Sequence, residues 1–319
     1  SEDLGLIMDV LSDCLLNPSF PPDEWEKQRQ QQIASLRQQR EQPMYLAQEQ
    51  LREQLFPGHP YRLNTLGAED SLAAIRPEDL KAYFDRHRTP DNLAISMFGD
   101  ISAEEAVALA EQHLGHLAGR AERTTEWNAA SPELPAKAEV SGPFDQAILL
   151  VGYPGIDLRD ERNEAMNVLQ RALSGLSSEL AIEIREKRGL VYFVGAMGMI
   201  GVQPGMFALY AGTTADKLDE VESLMAEQIE RIAREGLRAD ELERARAQLL
   251  ASFDMSLQNT GDLAQQCALN ELYGMGYAYT FEQPDRLRAV TNDDIRQAAA
   301  SLLIPERRAI SRLVPEAKP

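Results

Sequence analysis

The stretch DEWEKQRQQQIAS, residues 23–35, returns farther along the chain as DELERARAQLLAS at residues 240–252. The two stretches align without a gap, and their residue numbers differ by a constant offset of 217 (240 minus 23). The identical pairs at this offset include Glu24/Glu241, Glu26/Glu243, Arg29/Arg246, Gln31/Gln248, Ala34/Ala251 and Ser35/Ser252. An internal repeat of this kind predicts that the two halves of the chain share one ancestral fold.

Three further pairs of stretches extend the repeat toward the end of each half. They keep an offset of 217 (262 minus 45) or of 215 (289 minus 74, and 304 minus 89). The pairs are YLAQEQL (45–51) with DLAQQCA (262–268), AIRPEDLKAYF (74–84) with AVTNDDIRQAA (289–299), and TPDNLAISMFG (89–99) with IPERRAISRLV (304–314). Each half is therefore expected to end in the same series, in which helices are followed by a closing strand.

A stretch without hydrophobic periodicity separates the two halves. Residues 119–137, GRAERTTEWNAASPELPAK, contain two prolines and several small or polar side chains, a composition typical of a linker. The sequence thus predicts a first domain at 1–118 and a second domain at 138–319. Short groups of strands alternate with helices, so the expected class is α+β. We expect two homologous domains, each a mixed or antiparallel sheet with helices packed on one face.

The second domain shows the fuller pattern of the two. Its predicted elements are apolar strands at 145–155, 190–197 and 205–213 and helices at 160–173, 174–189 and 215–236, the second of these starting at Ser177 or Ser178. The first domain opens with a helix at 2–16 and has no counterpart of these strands. Roughly the front half of that domain is therefore expected to lie before Ser1, in keeping with a fragment or a processed form without an initiator methionine.

The charge of the chain argues against several classes of partner. The formal net charge is −19, whereas nucleic acids and anionic membrane surfaces select clusters of Lys and Arg. Since no apolar run approaches the roughly 18 residues of a membrane helix, the sequence predicts a soluble protein, with cytoplasm and periplasm both open. The two cysteines, Cys14 and Cys267, have no metal-site spacing; we expect two small buried thiols, with a disulfide as the alternative.

Several stretches of the chain resemble the pitrilysin/insulinase family of zinc metallopeptidases. They are DVLSDCLLNPSFPPDEWEKQR (9–29), LFPGHPYRLNTLGAEDSLAAIRPEDLKAYFDRHRTPDNLAISMFGDI (55–101) and LSSELAIEIREKRGLVYFVGA (176–196). The resemblance covers nearly the whole chain and implies the duplicated α+β domain of that family. It also implies a zinc site made of an inverted His-x-x-Glu-His motif and a Glu from a later helix, with the Glu between the histidines as general base.

The residues of this chain depart from that zinc-binding pattern. None of the histidines is followed by x-x-Glu-His, and the one close pair, HLGH at 113–116, has no Glu at the required place; the four are His59, His87, His113 and His116. In the register set by the resemblance and the repeat, the family's later glutamates fall on Gln28 and Ser35, neither of which is a competent zinc ligand. The sequence therefore predicts no metal site, and a shifted register that uses Glu26 or Glu41 is the alternative.

A second group of candidate residues lies in REKRGLVY, residues 185–192. The resemblance implies that Arg185 and Tyr192, seven residues apart, hold substrate and a developing oxyanion; a guanidinium and a phenol are suitable donors for this. A helix followed by a Gly turn and a strand can bring both polar tips to one edge. Arg188 is the alternative to Arg185. The preceding loop, with Ser174, Gly175 and Ser177, is either a substrate loop or simply the N-cap of the helix.

Together these features predict a noncatalytic domain or subunit of a zinc-dependent peptidase system. It would pair with a catalytic module, on another chain or in the same polypeptide, or with itself, and enclose a peptide substrate. Zinc would then be held only by the catalytic partner. Two alternatives remain: an active zinc peptidase whose motif lies before Ser1, and a structural scaffold or assembly subunit of the same fold. Whether the chain is itself an enzyme stays open at this stage.

Overall fold

The computed structural model describes residues 3–121 and 130–316. Its α-helices are α1 (Leu4–Leu16), α2 (Pro22–Arg40), α3 (Pro43–Leu55), α4 (Glu69–Ala74), α5 (Pro77–His87), α6 (Ala103–Leu114), α7 (Asn163–Ala172), α8 (Leu218–Glu235), α9 (Ala239–Ser256), α10 (Thr260–Leu272), α11 (Tyr279–Ala289) and α12 (Asn292–Leu302). Its β-strands are β1 (Ala136–Gly142), β2 (Ala147–Pro154), β3 (Val191–Met199), β4 (Met206–Thr213) and β5 (Ala309–Pro315).

The helices keep the offsets of the sequence repeat. Helix α10 matches α3 at both ends with the offset of 217 (260 minus 43, and 272 minus 55). Helix α12 matches α5 at both ends with the offset of 215 (292 minus 77, and 302 minus 87). The short 3₁₀ turns Pro90–Asn92 and Pro305–Arg307 keep this second offset as well. The repeat thus extends from individual residues to whole helices.

All five strands of the described residues form one mixed sheet in the order β1-β5-β2-β4-β3. Strands β1 and β5 are parallel, and the other neighbours are antiparallel. The predicted α+β class is confirmed, and β2, β3, β4 and β5 form where the sequence predicts strands. Strand β1 begins at Ala136, inside the predicted linker 119–137; residues 122–129 of that linker lie outside the described residues.

Helices cover both faces of this sheet, whereas the sequence predicts helices on one face. Leu149 and Val151 of β2 point into a core shared with α7, α8 and α12. Ile148 and Leu150 point the opposite way, into a second core that contains α3. All four side chains are at most 2% exposed. A strand that is apolar on both sides needs cover on both sides, which explains the difference.

A glycine lets α3 approach the second face closely. A Cβ atom built on Gly152 of β2 would lie only 2.8 Å from both δ carbons of Leu51. Leu51 is fully buried there. Because residue 152 has no side chain, the central leucine of α3 packs directly against the backbone of β2.

The predicted closing strand of the first half does not form among the described residues. Residues 93–98 have no regular secondary structure, although their repeat counterpart is β5. A strand needs hydrogen-bonded neighbours, and the five described strands all belong to the sheet of the second half. The segment therefore has no sheet to join.

Contacts between Cα atoms divide the chain into two compact units that do not follow chain order. One unit takes in residues 66–121 together with Asp254–Gln283, and the other takes in Arg37–Thr65 together with the sheet. The two displaced segments are repeat counterparts, since Arg37 and Asp254 are related by the offset of 217 (254 minus 37). The homologous domains 1–118 and 138–319 describe sequence ancestry, and that division stays a prediction.

Two smaller expectations concern the thiols and the membrane. Cys14 and Cys267 are both free; Cys267 is buried as expected, whereas Cys14 is exposed on α1. Within the described ranges, no helix is both long and apolar enough to cross a membrane.

The contact between Leu51 and Gly152 gives a test of the packing between α3 and the sheet. We expect Gly152→Ala to lower the free energy of unfolding by about 1–3 kcal/mol, since the new methyl group overlaps Leu51. Leu51→Ala should cost about 2–5 kcal/mol through the cavity it leaves. The double variant should cost less than the two single costs together, because the smaller side chain relieves the overlap. Urea unfolding measures all three.

The control for this test is Gly5→Ala in α1, where a new Cβ would meet nothing within 4 Å. That change should leave stability unaltered or raise it by at most about 1 kcal/mol, since alanine favours the helix. Additive costs in the double variant would contradict direct packing of Leu51 against Gly152.

Candidate functional site

The candidate residues lie at a corner where a helical turn leads into the edge strand β3. The turn Ala181–Glu186 is a π-helix: the Lys187 amide donates to the Ile182 carbonyl, five residues back, at 3.0 Å. The sequence predicts an ordinary helix over 174–189, so this short, wide turn is a difference. π-turns are rare and often occur at functional sites, because their irregular backbone is otherwise disfavoured.

Four hydrogen bonds hold the corner that follows the π-turn. The amides of Gly189 and Leu190 donate to the carbonyls of Arg185 and Ile184, each at 3.0 Å. The buried hydroxyl of Thr213 in β4 donates to the Leu190 carbonyl at 2.5 Å. The fourth bond runs to the Gly189 carbonyl from the Lys217 ammonium, at 3.3 Å. Gly189 has φ +62°, a left-handed conformation that glycine adopts without strain.

Strand β3 opens with a β-bulge at Tyr192. Val191 pairs with Thr213 and Phe193 pairs with Gly212, so Tyr192 has no partner of its own in β4. In a regular strand Val191 and Phe193 would point to the same face. Here Val191 packs into the core of α7 and α8, and Phe193 packs on the face of α3. The bulge thus leaves Tyr192 free of both cores, a way in which bulges redirect side chains.

The two candidate side chains are accessible at this corner. The side chain of Tyr192 is 57% exposed, and Arg185 is half-buried. Neither has a hydrogen-bond or ion-pair partner among the described residues, whereas nearby Lys187 forms an ion pair with Glu183. Arg188, the alternative to Arg185, is exposed beside Gly189. A guanidinium and a phenol thus lie at one hydrogen-bonded corner, with their donors unused among the residues that the structure describes.

The small-residue loop before the π-turn is tied to β3. The Ser174 hydroxyl lies 2.7 Å from the Gln170 carbonyl oxygen and accepts from the Ala196 amide at 3.4 Å. Gly175 has φ +86° and open space around it, and Ser177 is exposed. Ser178 is buried, and its hydroxyl accepts from the amide of residue 181 at 3.2 Å. Of the two predicted caps, Ser178 is therefore the one used.

A charged pair fixes the start of the π-turn. The Arg238 guanidinium donates to Glu179 at 2.7 Å and holds the pKa of that carboxyl below its ordinary value. The Glu179 side chain is only 13% exposed, whereas the Arg238 side chain is 46% exposed, so water screens the pair in part. This bond ties the loop beside the candidate site to the residue that precedes α9.

Helix α2 carries the two positions where the resemblance implies zinc ligands. Gln28 and Ser35 are seven residues apart, which places them on one face of the helix two turns apart, and both are exposed. Glu26 and Glu41 are the ligands of the alternative, shifted register. The carboxylate oxygens of Glu26 accept hydrogen bonds from Arg29 and Gln30. Glu41 lies just beyond the last residue of α2. An amide and a hydroxyl in place of carboxylates do not fit a zinc centre.

The histidines lie in local structural roles. His59 is buried, with its Nε2 atom 2.5 Å from Gln203 Oε1 and its Nδ1 atom accepting from the amide of residue 61. The ring of His87 contacts that of the tyrosine four residues before it, with the centroids 4.3 Å apart and the planes tilted by 46°. His113 lies in the last turn of α6, which ends at Leu114, and His116 lies past the helix end, so the pair does not share a helical face. Within residues 3–121 and 130–316, no three His, Cys, Asp or Glu side chains form a group able to hold a metal ion.

A mixed sheet between layers of helices, with an exposed corner at the start of its edge strand, is the peptidase-like α+β fold that the resemblance implies. The chain belongs to the peptidase M16 family. Residues 74–249, more than half of the chain, match the sequence model of the family described as the peptidase M16 inactive domain. This match confirms the family resemblance inferred from the sequence.

A curated protein is similar to this chain in sequence, and two solved structures are similar to it in fold. The chain is 28% identical over 313 residues to an uncharacterized zinc protease of Streptomyces coelicolor, covering 94% of this chain and 67% of that protein. It is similar in fold to the M16 inactive-domain protein of Pseudomonas fluorescens, with a TM-score of 0.84, 24% identity and coverage of 98% and 76% of the two chains. It is also similar to a chain of complex III2 from Candida albicans, with a TM-score of 0.80, 17% identity and coverage of 98% and 77%.

The pair that fixes the π-turn gives a prediction with a defined pH dependence. We expect Glu179→Gln to lower the free energy of unfolding at pH 7 by about 1–2 kcal/mol, which is less than the roughly 1.5–3 kcal/mol of a hydrogen bond to a charged group because the Arg238 side chain is partly exposed to water. Because the pKa of Glu179 is depressed in the folded state, its contribution is complete above the unfolded value of about 4.3. It should be lost as the pH falls through the lower folded value.

Denaturant unfolding between pH 3 and pH 8 measures this difference. The matched control is Glu186→Gln, since Glu186 is exposed on the same turn and has no ion pair among the described residues. The control should change stability little at any pH. A cost for Glu179→Gln that grows toward acid pH would contradict the assigned role of the pair.

Proposed function

We propose that this chain is the noncatalytic module of a zinc-dependent peptidase system and that it pairs with a catalytic module around a peptide substrate. The catalytic module supplies the metal and the general base, and this chain supplies hydrogen-bond donors from its corner. The observation that carries the proposal is the contrast between α2 and the corner. Gln28 and Ser35 are poor zinc ligands, while Arg185 and Tyr192 have no partner for their donors among the described residues.

Both donors occupy irregular backbone, and the two irregularities support a role outside the chain. A π-turn and a β-bulge each interrupt the regular hydrogen-bond pattern, so they persist where something else requires them. The bulge frees the phenol of Tyr192 from the cores, and the π-turn carries Arg185 just before the chain reverses at Gly189. A peptide carbonyl, or an oxyanion that forms from it, is a suitable acceptor for two such donors.

A structural scaffold is the second candidate, and one observation favours it. The fold of this chain is similar to that of a chain of complex III2 from Candida albicans, at 17% identity. In a scaffold the corner residues would make no contact with substrate. Activity measurements on corner variants separate the two candidates.

The test uses the tagged chain purified with its peptidase partner from the host that makes both. Activity is measured with a library of fluorogenic peptides, and zinc is counted per complex. We expect Arg185→Ala and Tyr192→Phe each to lower kcat/KM by about 10²–10³, the effect of removing one donor to an oxyanion. The yield of the complex and its zinc content should stay unchanged, because neither side chain packs in a core.

Two further variants serve as controls. Tyr83→Phe removes the hydroxyl of another tyrosine, 66% exposed on α5, and should not affect activity. Arg188→Ala tests the alternative register. If Arg188→Ala lowers activity and Arg185→Ala does not, the assigned arginine is wrong. Full activity in both Arg185→Ala and Tyr192→Phe would contradict the proposal and favour the scaffold.

A further inference from the structure

Lys217 lies at the corner that carries Arg185 and Tyr192, since its ammonium group contacts the backbone of the turn between them. It ends the 3₁₀ turn Ala215–Lys217, which follows strand β4. Its Nζ atom donates to the Gly189 carbonyl oxygen at 3.3 Å, and the residue is half-buried. A lysine ammonium has three donors, and this bond uses one of them.

The other described lysines are paired with carboxylates. Of the five lysines within residues 3–121 and 130–316, four form an ion pair with Asp or Glu, namely Lys27, Lys81, Lys137 and Lys187. In these same ranges Lys217 is the one lysine without an ion pair, although Asp216 precedes it directly in the sequence. The chain has 51 acidic and 32 basic residues, so acidic partners are plentiful, yet this ammonium is held by a backbone carbonyl.

The corner is more positive than the rest of the chain. Within residues 183–192 and 215–217, Lys187 is paired with Glu183. The groups of these two ranges that form no ion pair within the described structure are three cations and two acids: Arg185, Arg188, Lys217, Glu186 and Asp216. The local charge is therefore +1 (three minus two), whereas the net charge of the chain is −19. Because the Debye length is roughly 8 Å at physiological ionic strength, the nearby cations outweigh distant acids for a ligand bound here.

We propose that Lys217 binds a carboxylate of the peptide substrate while Arg185 and Tyr192 hold the peptide backbone. The carboxylate belongs to an acidic side chain near the cleaved bond or to the C-terminus of the peptide, and both present the same group to the ammonium. The inference rests on the proposed function, because that function brings a peptide to this corner. It adds the substrate class, which is peptides with a negative charge close to the residues that the corner contacts.

The bond to Gly189 prepares the ammonium for this role. It holds the end of a flexible side chain beside the turn, so less side-chain freedom is lost when a carboxylate binds. An ammonium donates more strongly to a carboxylate than to a neutral carbonyl, since both groups are then charged. The carboxylate takes the donors that the Gly189 carbonyl leaves unused.

The first measurement compares pairs of peptides with the purified peptidase complex. The members of a pair differ by Glu or Gln at one position beside the cleaved bond, and one further pair differs by a free or amidated C-terminus. We expect kcat/KM to be about 3–10-fold higher for the acidic member of one pair, mainly through KM, because a carboxylate contact that is partly open to water is modest. Lys217→Gln keeps a donor for Gly189 but removes the charge, so it should abolish this preference, and Lys217→Arg should keep it.

The matched control is Lys187→Gln, which removes an equal charge from the same corner at a lysine that is already paired. It should leave the preference unchanged. Equal kcat/KM for both members of every pair would overturn the proposal, and so would a preference that survives Lys217→Gln or that Lys187→Gln also removes. If Arg185→Ala and Tyr192→Phe keep full activity while Lys217→Gln removes the preference, the proposed backbone donors are wrong and the carboxylate site stands.

A second measurement does not require catalysis. The lysine side chains of the purified chain are labelled with carbon-13, and the NMR signal of Lys217 is the one that Lys217→Gln removes. The probes are acetyl-Ala-Ala-Glu-Ala-Ala-amide, its Gln counterpart, and acetylated pentaalanine with a free C-terminus. We expect a saturable shift of the Lys217 signal with a carboxylate-bearing probe, whose identity gives the source of the carboxylate, and none with the Gln probe. No shift with either carboxylate would overturn the inference, whether or not the complex cleaves peptides.

Discussion

The packing of Leu51 into the space left by Gly152 is the contact on which the sheet depends. It lets α3 cover the face of β2 that α7, α8 and α12 leave bare, so β2 is buried on both sides. With β2 fixed, β4 pairs along its full length and β3 becomes the edge strand. The corner that carries Arg185 and Tyr192 follows from this order, because it is built where β3 begins and is held by Thr213 of β4.

The two units differ in that all the described strands lie in one of them, and the repeat shows which segments of the two units correspond. The segment Arg37–Thr65 completes the unit that contains the sheet, and its counterpart Asp254–Gln283 belongs to the unit without described strands. Helix α3 therefore has a sheet to cover, whereas α10 lies over residues 93–98, which have no regular secondary structure. The same sequence pattern thus gives a buried stripe in one unit and an open cavity in the other.

Much of the fold could be predicted from the sequence, since the repeat and the apolar runs determine which segments become strands and helices. The position of α3 could not, because residues 43–55 belong to the first half by sequence and pack on strands of the second. Nor could the bulge at Tyr192 or the π-turn, which depend on tertiary packing. The only local signal in the sequence is the spacing of Val191 and Val194. They point into the same core although they are three residues apart, whereas residues on one face of a regular strand are two apart. The candidate pair itself came from the family resemblance, while its accessibility required the structure.

The central proposal is that this chain is a noncatalytic module whose helix α2 does not hold zinc. The most direct measurement is the zinc content of the purified chain after dialysis against excess Zn²⁺, followed by removal of free metal. The account predicts zinc far below one ion per chain, because Gln28 and Ser35 lie where the resemblance implies carboxylates. One tightly bound zinc per chain, lost when Ser35 or Glu26 is changed to Ala, would contradict it.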